Sequence, residues 1–339
     1  MHPGVDREAA AATATAAAPV AATAGASADA AASADAAASA DAAASADAAA
    51  SADAAASADA AAAAPGRPVL VAVIPGNPGS PAFYVDFVAL LRARGHEVVM
   101  AGHPLLGAPQ PSLLPYAEHH VQVIVQHLAS TGRTAADVEL VLVGHSVGAY
   151  LAHLIVAHGL LPVARVLMLF PCLARPTFTG RVIFALVGTL PLFRAGLAAF
   201  RALPRRAQLW LIARAGGGEG TAAVLAALHS PEALACAVMA RAERDEIATR
   251  KDASYLFDHD VFKARTTFAA LFCAVDCWAP PALEAELARF GVRLPEPMTH
   301  SFVVDREQRR VVADAVHQLL TEAPPPPLRS PRLAPRGEG

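Results

Sequence analysis

A glycine-flanked serine at residues 144–148 (GHSVG) constrains the fold of this chain more than any other feature. The apolar run 140–143 (LVLV) precedes it, and the helix-forming run 149–154 (AYLAHL) follows it. This order predicts a buried strand, a sharp turn and a helix, and glycines permit the tight turn because they lack a Cβ atom. Such a turn leaves the hydroxyl of Ser146 at the tip of the strand, where it can act as a nucleophile. A glycine-rich turn with an incidental serine is the alternative interpretation.

A second turn lies upstream of the first. Residues 69–74 (VLVAVI) are uniformly apolar, as in a strand buried on both faces, and they lead into 75–79 (PGNPG). A loop of this kind can donate one backbone N–H to an oxyanion, and the residue after the nucleophile can donate another. Because Pro78 has no N–H, we expect Asn77 and Val147 to form the oxyanion hole. Taken alone, the segment favours an ordinary Pro/Gly turn, and only its pairing with the serine elbow at this spacing favours the oxyanion loop.

The acid that supports a serine nucleophile is expected after the serine in the chain, and Asp276 stands in a suitable place. It ends the apolar, strand-like run 268–275 (FAALFCAV), and a helical pattern begins a few residues later. Asp258 and Asp260 are competitors for this role, but they lie in a polar stretch that no strand precedes. The sequence therefore favours Asp276 as the acid.

A histidine that can serve as the general base follows the acid. His300 lies on a predicted loop before the terminal helix, and from there an imidazole can reach both Ser146 and Asp276. His103 is the alternative base because it follows a predicted strand, but it precedes the serine and so breaks the chain order of the triad. The sequence predicts a catalytic triad of Ser146, Asp276 and His300.

Strand-like and helical patterns alternate along the rest of the chain. Further strands are predicted at 98–100 and 163–170, and helices at 83–94, 116–129 and 308–320. This alternation predicts an α/β fold with a doubly wound, mostly parallel sheet. The functional residues of such a sheet lie at the carboxyl ends of its strands.

Composition divides the chain into parts. Residues 1–64 contain no Leu, Ile, Phe, Trp or Tyr and repeat the unit Ser-Ala-Asp-Ala-Ala-Ala, so we expect a disordered, low-complexity tail. Residues 65–322 suit one catalytic domain with a cap inserted at 176–260, and 323–339 form a Pro-rich tail. The net charge is −3, but residues 1–64 carry eight acids and one base, which leaves 22 acids and 26 bases in the rest of the chain. The modestly basic remainder suits an anionic membrane surface better than nucleic acid, for which no motif is present.

The predicted cap contains apolar segments that are too short to span a bilayer. Residues 182–193 and 207–213 carry no charged residue, and arginines flank both. Because a span needs about 20 apolar residues, we expect a monotopic hairpin at 178–214 that dips into a lipid surface. The side chains expected to contact lipid are Phe184, Leu190 and Leu192. An apolar lid over the active site is the alternative interpretation.

The cysteines indicate neither a disulfide framework nor a metal site. They form no CxxC pair and no His/Cys metal spacing, and they are Cys172, Cys236, Cys273 and Cys277. We therefore expect free thiols, no metal ion and no organic cofactor.

Six short motifs of the chain occur together in a known family. The most specific are 74–79 (IPGNPG) and 144–150 (GHSVGAY), and the others are Phe83-Tyr84, 170–171 (FP), 276–280 (DCWAP) and 300–302 (HSF). Together they resemble the lipid droplet-associated hydrolase family. The resemblance covers roughly residues 68–320. It implies an α/β-hydrolase fold, an esterase-type triad, and attachment to lipid droplets and the endoplasmic reticulum.

These observations lead to one main hypothesis and two alternatives. The main hypothesis is a serine ester hydrolase that acts on lipid esters through an acyl-enzyme, on the cytosolic face of lipid droplets and the endoplasmic reticulum. The first alternative is a lipid-droplet organising protein with little turnover. The second is a soluble esterase or thioesterase whose apolar segment is only a lid. The acyl donor, the protein partners and the oligomeric state stay open.

Overall fold

A computed structural model describes most of the chain between the two expected tails. The described residues are 66–106, 110–214, 218–253, 255, 266–288, 290–295 and 297–322. The predicted tails at 1–64 and 323–339 lie outside them, as do the competing acids Asp258 and Asp260.

Six parallel strands form the centre of the described structure, in the spatial order β2-β1-β3-β4-β5-β6. The strands are β1 (Val69–Ile74), β2 (Glu97–Met100), β3 (Glu139–His145), β4 (Arg165–Leu169), β5 (Thr267–Phe272) and β6 (Gly291–Arg293). Almost every residue of β1, β3 and β4 is buried, which explains their nearly continuous apolar sequences.

Helices flank this sheet and also form an insertion between two of its strands. They are α1 (Val85–Ala93), α2 (Leu114–Ser130), α3 (Val147–Ala157), α4 (Phe178–Val187), α5 (Leu190–Ala202), α6 (Arg205–Arg214), α7 (Thr221–His229), α8 (Glu232–Glu246), α9 (Pro281–Glu286) and α10 (Arg306–Thr321). One core cluster joins the sheet to α2 and α3, and a second joins it to α1 and α10. The predicted doubly wound α/β sheet is confirmed, and it is parallel throughout the described strands.

Helices α4 to α8, residues 178–246, stand between β4 and β5 and are called the helical insertion below. Its first three helices bury few side chains, whereas α8 packs closely against the rest of the structure. No described helix is long and apolar enough to cross a membrane by itself. Two bent pairs pass the same criterion of length and composition, α4 with α5 (81°) and α7 with α8 (87°).

One side chain expected to contact lipid lies inside the structure instead. Phe184 is only 3% exposed, and its ring lies 4.6 Å from that of Trp278, centroid to centroid. The expectation for Phe184 is therefore wrong, because α4 uses this side chain to pack against the loop after β5. Leu190 is half-buried, and Leu192 is exposed.

The strand order reverses between β1 and β3, and this places two loops side by side. β1 runs beside β3 with Ile74 opposite Gly144, so the loops after these strands leave the sheet at the same edge. In open parallel sheets, ligands bind in the crevice at such a switch point. An isolated bridge between Val275 and Thr299 brings the loops after β5 and β6 together as well.

Candidate active site

Ser146 occupies a strained turn between β3 and α3. Its backbone angles are φ 55° and ψ −122°, a conformation that non-glycine residues rarely adopt. The next turn is held tightly against β1, since a Cβ atom on Gly148 would lie 2.2 Å from the carbonyl oxygen of Ile74. The strand, elbow and helix that the sequence predicts around the serine are therefore present.

The three residues of the predicted triad are joined by hydrogen bonds. His300 Nε2 lies 2.9 Å from Ser146 Oγ, and His300 Nδ1 lies 2.8 Å from Asp276 Oδ2. Because an ionised carboxylate only accepts hydrogen bonds, Nδ1 carries the imidazole proton and its N–H donates a hydrogen bond to Asp276. Nε2 is then left to accept the hydrogen bond of the serine hydroxyl, which is the geometry of a general base.

Asp276 is held as a carboxylate by its surroundings. Burial by itself raises the pKa of this carboxyl, but hydrogen bonding and charge from His300 outweigh it and lower the pKa below its usual value. The other oxygen, Oδ1, accepts the backbone N–H groups of Trp278 (2.7 Å) and Ala279 (3.2 Å). An ionised Asp276 can therefore orient the imidazole and stabilise an imidazolium.

The loop after β1 packs directly on the elbow. A Cβ atom on Gly76 would lie 2.9 Å from Ser146 Cβ, so the next residue, Asn77, follows a point of contact with the nucleophile. Val147 is the first residue of α3, and its N–H has no acceptor within the helix. Among the described residues, neither the Asn77 N–H nor the Val147 N–H has an acceptor. The Gly76 N–H is already engaged, because it donates to Tyr84 Oη at 2.8 Å.

Tyr84 and His145 connect the two halves of the site, although the sequence motifs that contain them predict no role for either side chain. Tyr84 Oη lies 2.5 Å from His145 Nδ1, and His145 Nε2 lies 3.0 Å from the carbonyl oxygen of His300. The carbonyl can only accept, so Nε2–H donates to it and the tyrosine hydroxyl donates to Nδ1. Burial lowers the pKa of His145 to about 3 and raises the pKa of Tyr84, so both groups are neutral near pH 7. A neutral relay thus runs from Gly76 to the backbone of His300.

Glu243 on α8 also belongs to the site, although no sequence motif indicates it. Asn77 Nδ2 donates to its Oε1 atom at 2.7 Å and to the carbonyl oxygen of Cys236 at 3.0 Å. Burial raises the pKa of Glu243 to about 8, although the bond from Asn77 partly opposes the shift. A pattern of residue types gave no signal for this contact, because α8 lies far from Asn77 along the chain.

His103, the alternative base, lies apart from the triad. Its Nδ1 atom is 3.0 Å from His120 Nε2, and burial lowers its pKa to about 3. It borders a cavity of about 260 Å³ that Pro78 and Gly79 also line, but none of the triad residues does. We therefore assign this cavity no part in the reaction. Within the described residues, no group of three or more His, Cys, Asp or Glu side chains is placed to hold a metal ion.

Comparison with known proteins points to one family. A family model described as lipid-droplet associated hydrolase matches residues 67–308. A lipid droplet-associated hydrolase from Pongo abelii is 25% identical over 285 aligned positions, which cover 75% of this chain and 86% of that protein. One from Mus musculus is 33% identical over 131 positions, which cover 31% of this chain and 38% of that protein.

Solved structures agree with the architecture. The structure of an enol-lactonase from Burkholderia xenovorans aligns with a TM-score of 0.50 at 15% sequence identity, covering 76% of this chain and 93% of that one. At this identity the likeness concerns the fold alone.

Proposed function

The chain belongs to the lipid droplet-associated hydrolase family and is a hydrolase of the α/β type; we propose that it is a serine ester hydrolase acting on lipid esters. The observation that carries the proposal is the unbroken hydrogen-bonded line from Ser146 through His300 to Asp276. A nucleophile, a base that contacts it and an acid that orients the base are the parts that acyl transfer requires.

In the acylation step, Ser146 Oγ attacks the carbonyl carbon of the ester while its proton passes to His300 Nε2. The carbonyl π electrons move to oxygen, and the backbone N–H groups of Asn77 and Val147 stabilise the resulting oxyanion. When the tetrahedral intermediate collapses, the bond to the alcohol oxygen breaks and that oxygen takes the proton from His300. The acyl group then remains on Ser146 as an ester.

In the deacylation step, water replaces the alcohol. The water oxygen attacks the acyl carbon while His300 Nε2 accepts a proton from the water. The backbone N–H groups of Asn77 and Val147 stabilise the second oxyanion. Collapse breaks the bond to Ser146 Oγ, which takes back the proton from His300. The carboxylic acid leaves, and no redox step, metal ion or organic cofactor takes part in this scheme.

A lipid surface is the proposed location of the substrate. Exposed apolar side chains concentrate on the first three helices of the insertion, and the largest exposed fractions there belong to Phe178 (72%), Trp210 (63%) and Leu192 (60%). Exposed arginines accompany them at Arg194, Arg205 and Arg206, and residues 140–218 contain no Asp or Glu. Apolar side chains beside basic ones suit a lipid surface with anionic headgroups.

The relatives are named for lipid droplets, and we extend that location to this chain, together with the cytosolic face of the endoplasmic reticulum. The division into a tail at 1–64, a catalytic domain at 65–322 with a cap at 176–260, and a tail at 323–339 belongs to the same proposal. Two alternatives stay testable, a droplet-organising protein with little turnover and a soluble esterase or thioesterase.

A fluorophosphonate probe, which reacts with an activated serine, tests the proposal. We expect the wild-type protein to be labelled and Ser146→Ala to remain unlabelled. Absence of labelling in both would favour the organising role, and equal labelling would place the nucleophile at another residue. Flotation of the tagged protein with lipid droplets distinguishes a surface-bound enzyme from a soluble one, which stays in the aqueous fraction.

A further inference from the structure

The side chain of Asn77 is held by the helical insertion rather than by its own loop. Its amide nitrogen donates both hydrogens to α8, one to the Cys236 carbonyl at 3.0 Å and the other to Glu243 Oε1 at 2.7 Å. The two acceptors lie 159 and 166 residues farther along the chain. The residue proposed to stabilise the oxyanion with its backbone is thus tied by its side chain to the insertion.

Glu243 is an unusual residue for a purely structural contact. Its side chain is 3% exposed, and no cation of the described residues forms an ion pair with it. The titratable groups that face it are Tyr116 from α2, Cys172 from the loop after β4, and Cys236 from its own helix. None of these carries a positive charge, so the carboxyl keeps its proton near pH 7 and its pKa lies at about 8.

We propose that Glu243 is a positioning residue for the oxyanion hole, so that the donor at Asn77 is correctly placed only while Glu243 of α8 contacts it. The described residues outside the helical insertion are called the catalytic body below. The inference rests on the proposed serine mechanism. Its physical reason is that the Glu243 carboxyl fixes the Asn77 side chain, and with it the direction of the backbone N–H of the same residue. A donor that is displaced or mobile stabilises the transition state less, while ground-state binding of the ester hardly changes.

Two substitutions at the same position separate positioning from packing. Glu243→Gln keeps an oxygen acceptor for Asn77 Nδ2, whereas Glu243→Met keeps the volume and removes the acceptor. We expect Glu243→Met to lower kcat about 10-fold with KM within about twofold of wild type, because the loss of a whole oxyanion donor costs about 10²-fold or more. Glu243→Gln should restore kcat near pH 7.

The pH profile supplies a readout that packing would not change. Above about pH 8 the wild-type carboxyl ionises and places a negative charge beside the oxyanion hole, where it opposes the developing negative charge of the transition state. The kcat of the wild type should therefore fall above this pH, and Glu243→Gln should not show that fall.

The matched control is Glu246 on the same helix. It accepts from Tyr150 Oη and from the Leu113 N–H, both at 2.7 Å, and these partners belong to α3 and to the residue before α2. Glu246→Met removes these two hydrogen bonds and leaves the contact between Glu243 and Asn77 in place, so it should lower the melting temperature while kcat stays within about twofold of wild type.

The experiment measures kcat and KM with a soluble p-nitrophenyl ester for these variants, for Asn77→Ala, and for Asn77→Ala combined with Glu243→Met. Asn77→Ala keeps the backbone donor but loses the side-chain contact, so the double variant should be no slower than the slower single one. Three outcomes would overturn the role of Glu243 while leaving the serine mechanism intact. They are a wild-type kcat in Glu243→Met, a loss of kcat in Glu246→Met as large as that in Glu243→Met, and losses of kcat that multiply in the double variant. If the wild type neither hydrolyses the ester nor reacts with the fluorophosphonate, both the proposed function and this inference are wrong.

Discussion

The catalytic body and the helical insertion use similar apolar sequences for opposite purposes. Phe170, directly after β4, is completely buried, whereas Phe178, at the start of α4, is 72% exposed. In the body, the Phe170 side chain belongs to the core cluster that joins the sheet to α1 and α10, and its burial stabilises the fold. In the first three helices of the insertion, the same kind of side chain lies at the surface, which is typical of a region that contacts another apolar phase.

The insertion and the body contact each other at the loops of the proposed active site. Helix α8 holds Asn77 of the proposed oxyanion loop, and Thr177, just before α4, donates through its N–H and its hydroxyl to the Cys277 carbonyl beside Asp276. The ring of Phe184 adds a contact with Trp278 in the same loop. The insertion is therefore a surface region on its outer side and a support for the active-site loops on its inner side. The following predictions test this separation of roles.

Removing the proposed nucleophile should have the largest effect, and it should affect turnover alone. Ser146→Ala should lower ester turnover about 10⁴-fold or more, because no other described hydroxyl contacts His300. Flotation with lipid droplets should be unchanged, since the exposed apolar surface is intact. A variant that lost flotation together with turnover would show that the two regions do not act separately.

Asp276→Asn tests the support of the base and should have the next largest effect. The amide group has nearly the shape of the carboxylate but stabilises the wrong tautomer of His300, so kcat should fall about 10² to 10⁴-fold. Combined with Ser146→Ala, it should cause no further loss. Full activity in Asp276→Asn would transfer the acid role to Asp258 or Asp260.

Placing charges on the outer side of the insertion should remove attachment and leave chemistry intact. The triple variant replaces Phe178, Leu192 and Trp210 by Asp. This variant should leave the droplet fraction, because charges at a hydrocarbon boundary cost several kcal/mol. The readouts are flotation and turnover of a soluble ester. The matched control changes exposed apolar residues of the body to Asp, and these are Val85, Leu105 and Val125.

The control triple should float as the wild type does, and so should a protein that lacks residues 1–64. If deletion of the tail abolished flotation while the insertion was intact, the attachment would belong to the tail.

Glu243 should make the junction between the two regions sensitive to pH. Its pKa is raised from the ordinary value of 4.5 to about 8, so the folded protein keeps a proton that the unfolded chain releases over this window. The free energy of unfolding of the wild type should therefore fall as pH rises from about 5 to about 8, by at most about 4 kcal/mol. Glu243→Gln lacks this titration. Urea unfolding at both pH values checks the difference, and parallel pH dependences would contradict it.

Tyr84→Phe should have the smallest effect of the five, and it lies wholly within the body. The variant leaves the Gly76 N–H without its acceptor and His145 Nδ1 without its donor, at a cost of about 1 to 3 kcal/mol in stability. We expect kcat to fall several-fold, because the relay that aligns the oxyanion loop with His300 is broken. Thermal unfolding and ester kinetics measure the two effects. An unchanged kcat would limit the relay to a stabilising role.

Much of the fold follows from local patterns. The elbow, the buried strands β1, β3 and β4, and the long helices were predicted because burial on both faces requires continuous apolar runs and because tight turns need glycine. Asp276 and His300 could be proposed because strand ends and chain order restrict where a triad can lie. Their hydrogen bonds then depend only on loops that neighbouring parallel strands bring to one edge.

Residues close to one another in the chain specify where the strands end and which strand ends carry reactive side chains, so local patterns are enough to predict these features. Three contacts instead depend on long-range packing: Phe184 packs inward against Trp278, Tyr84 reaches His145, 61 residues away, and Glu243 holds Asn77, 166 residues away. Apolar periodicity does not distinguish a helix face that packs against a protein loop from one that contacts lipid. A buried carboxyl shows its role only when long-range packing has removed water and supplied its partner.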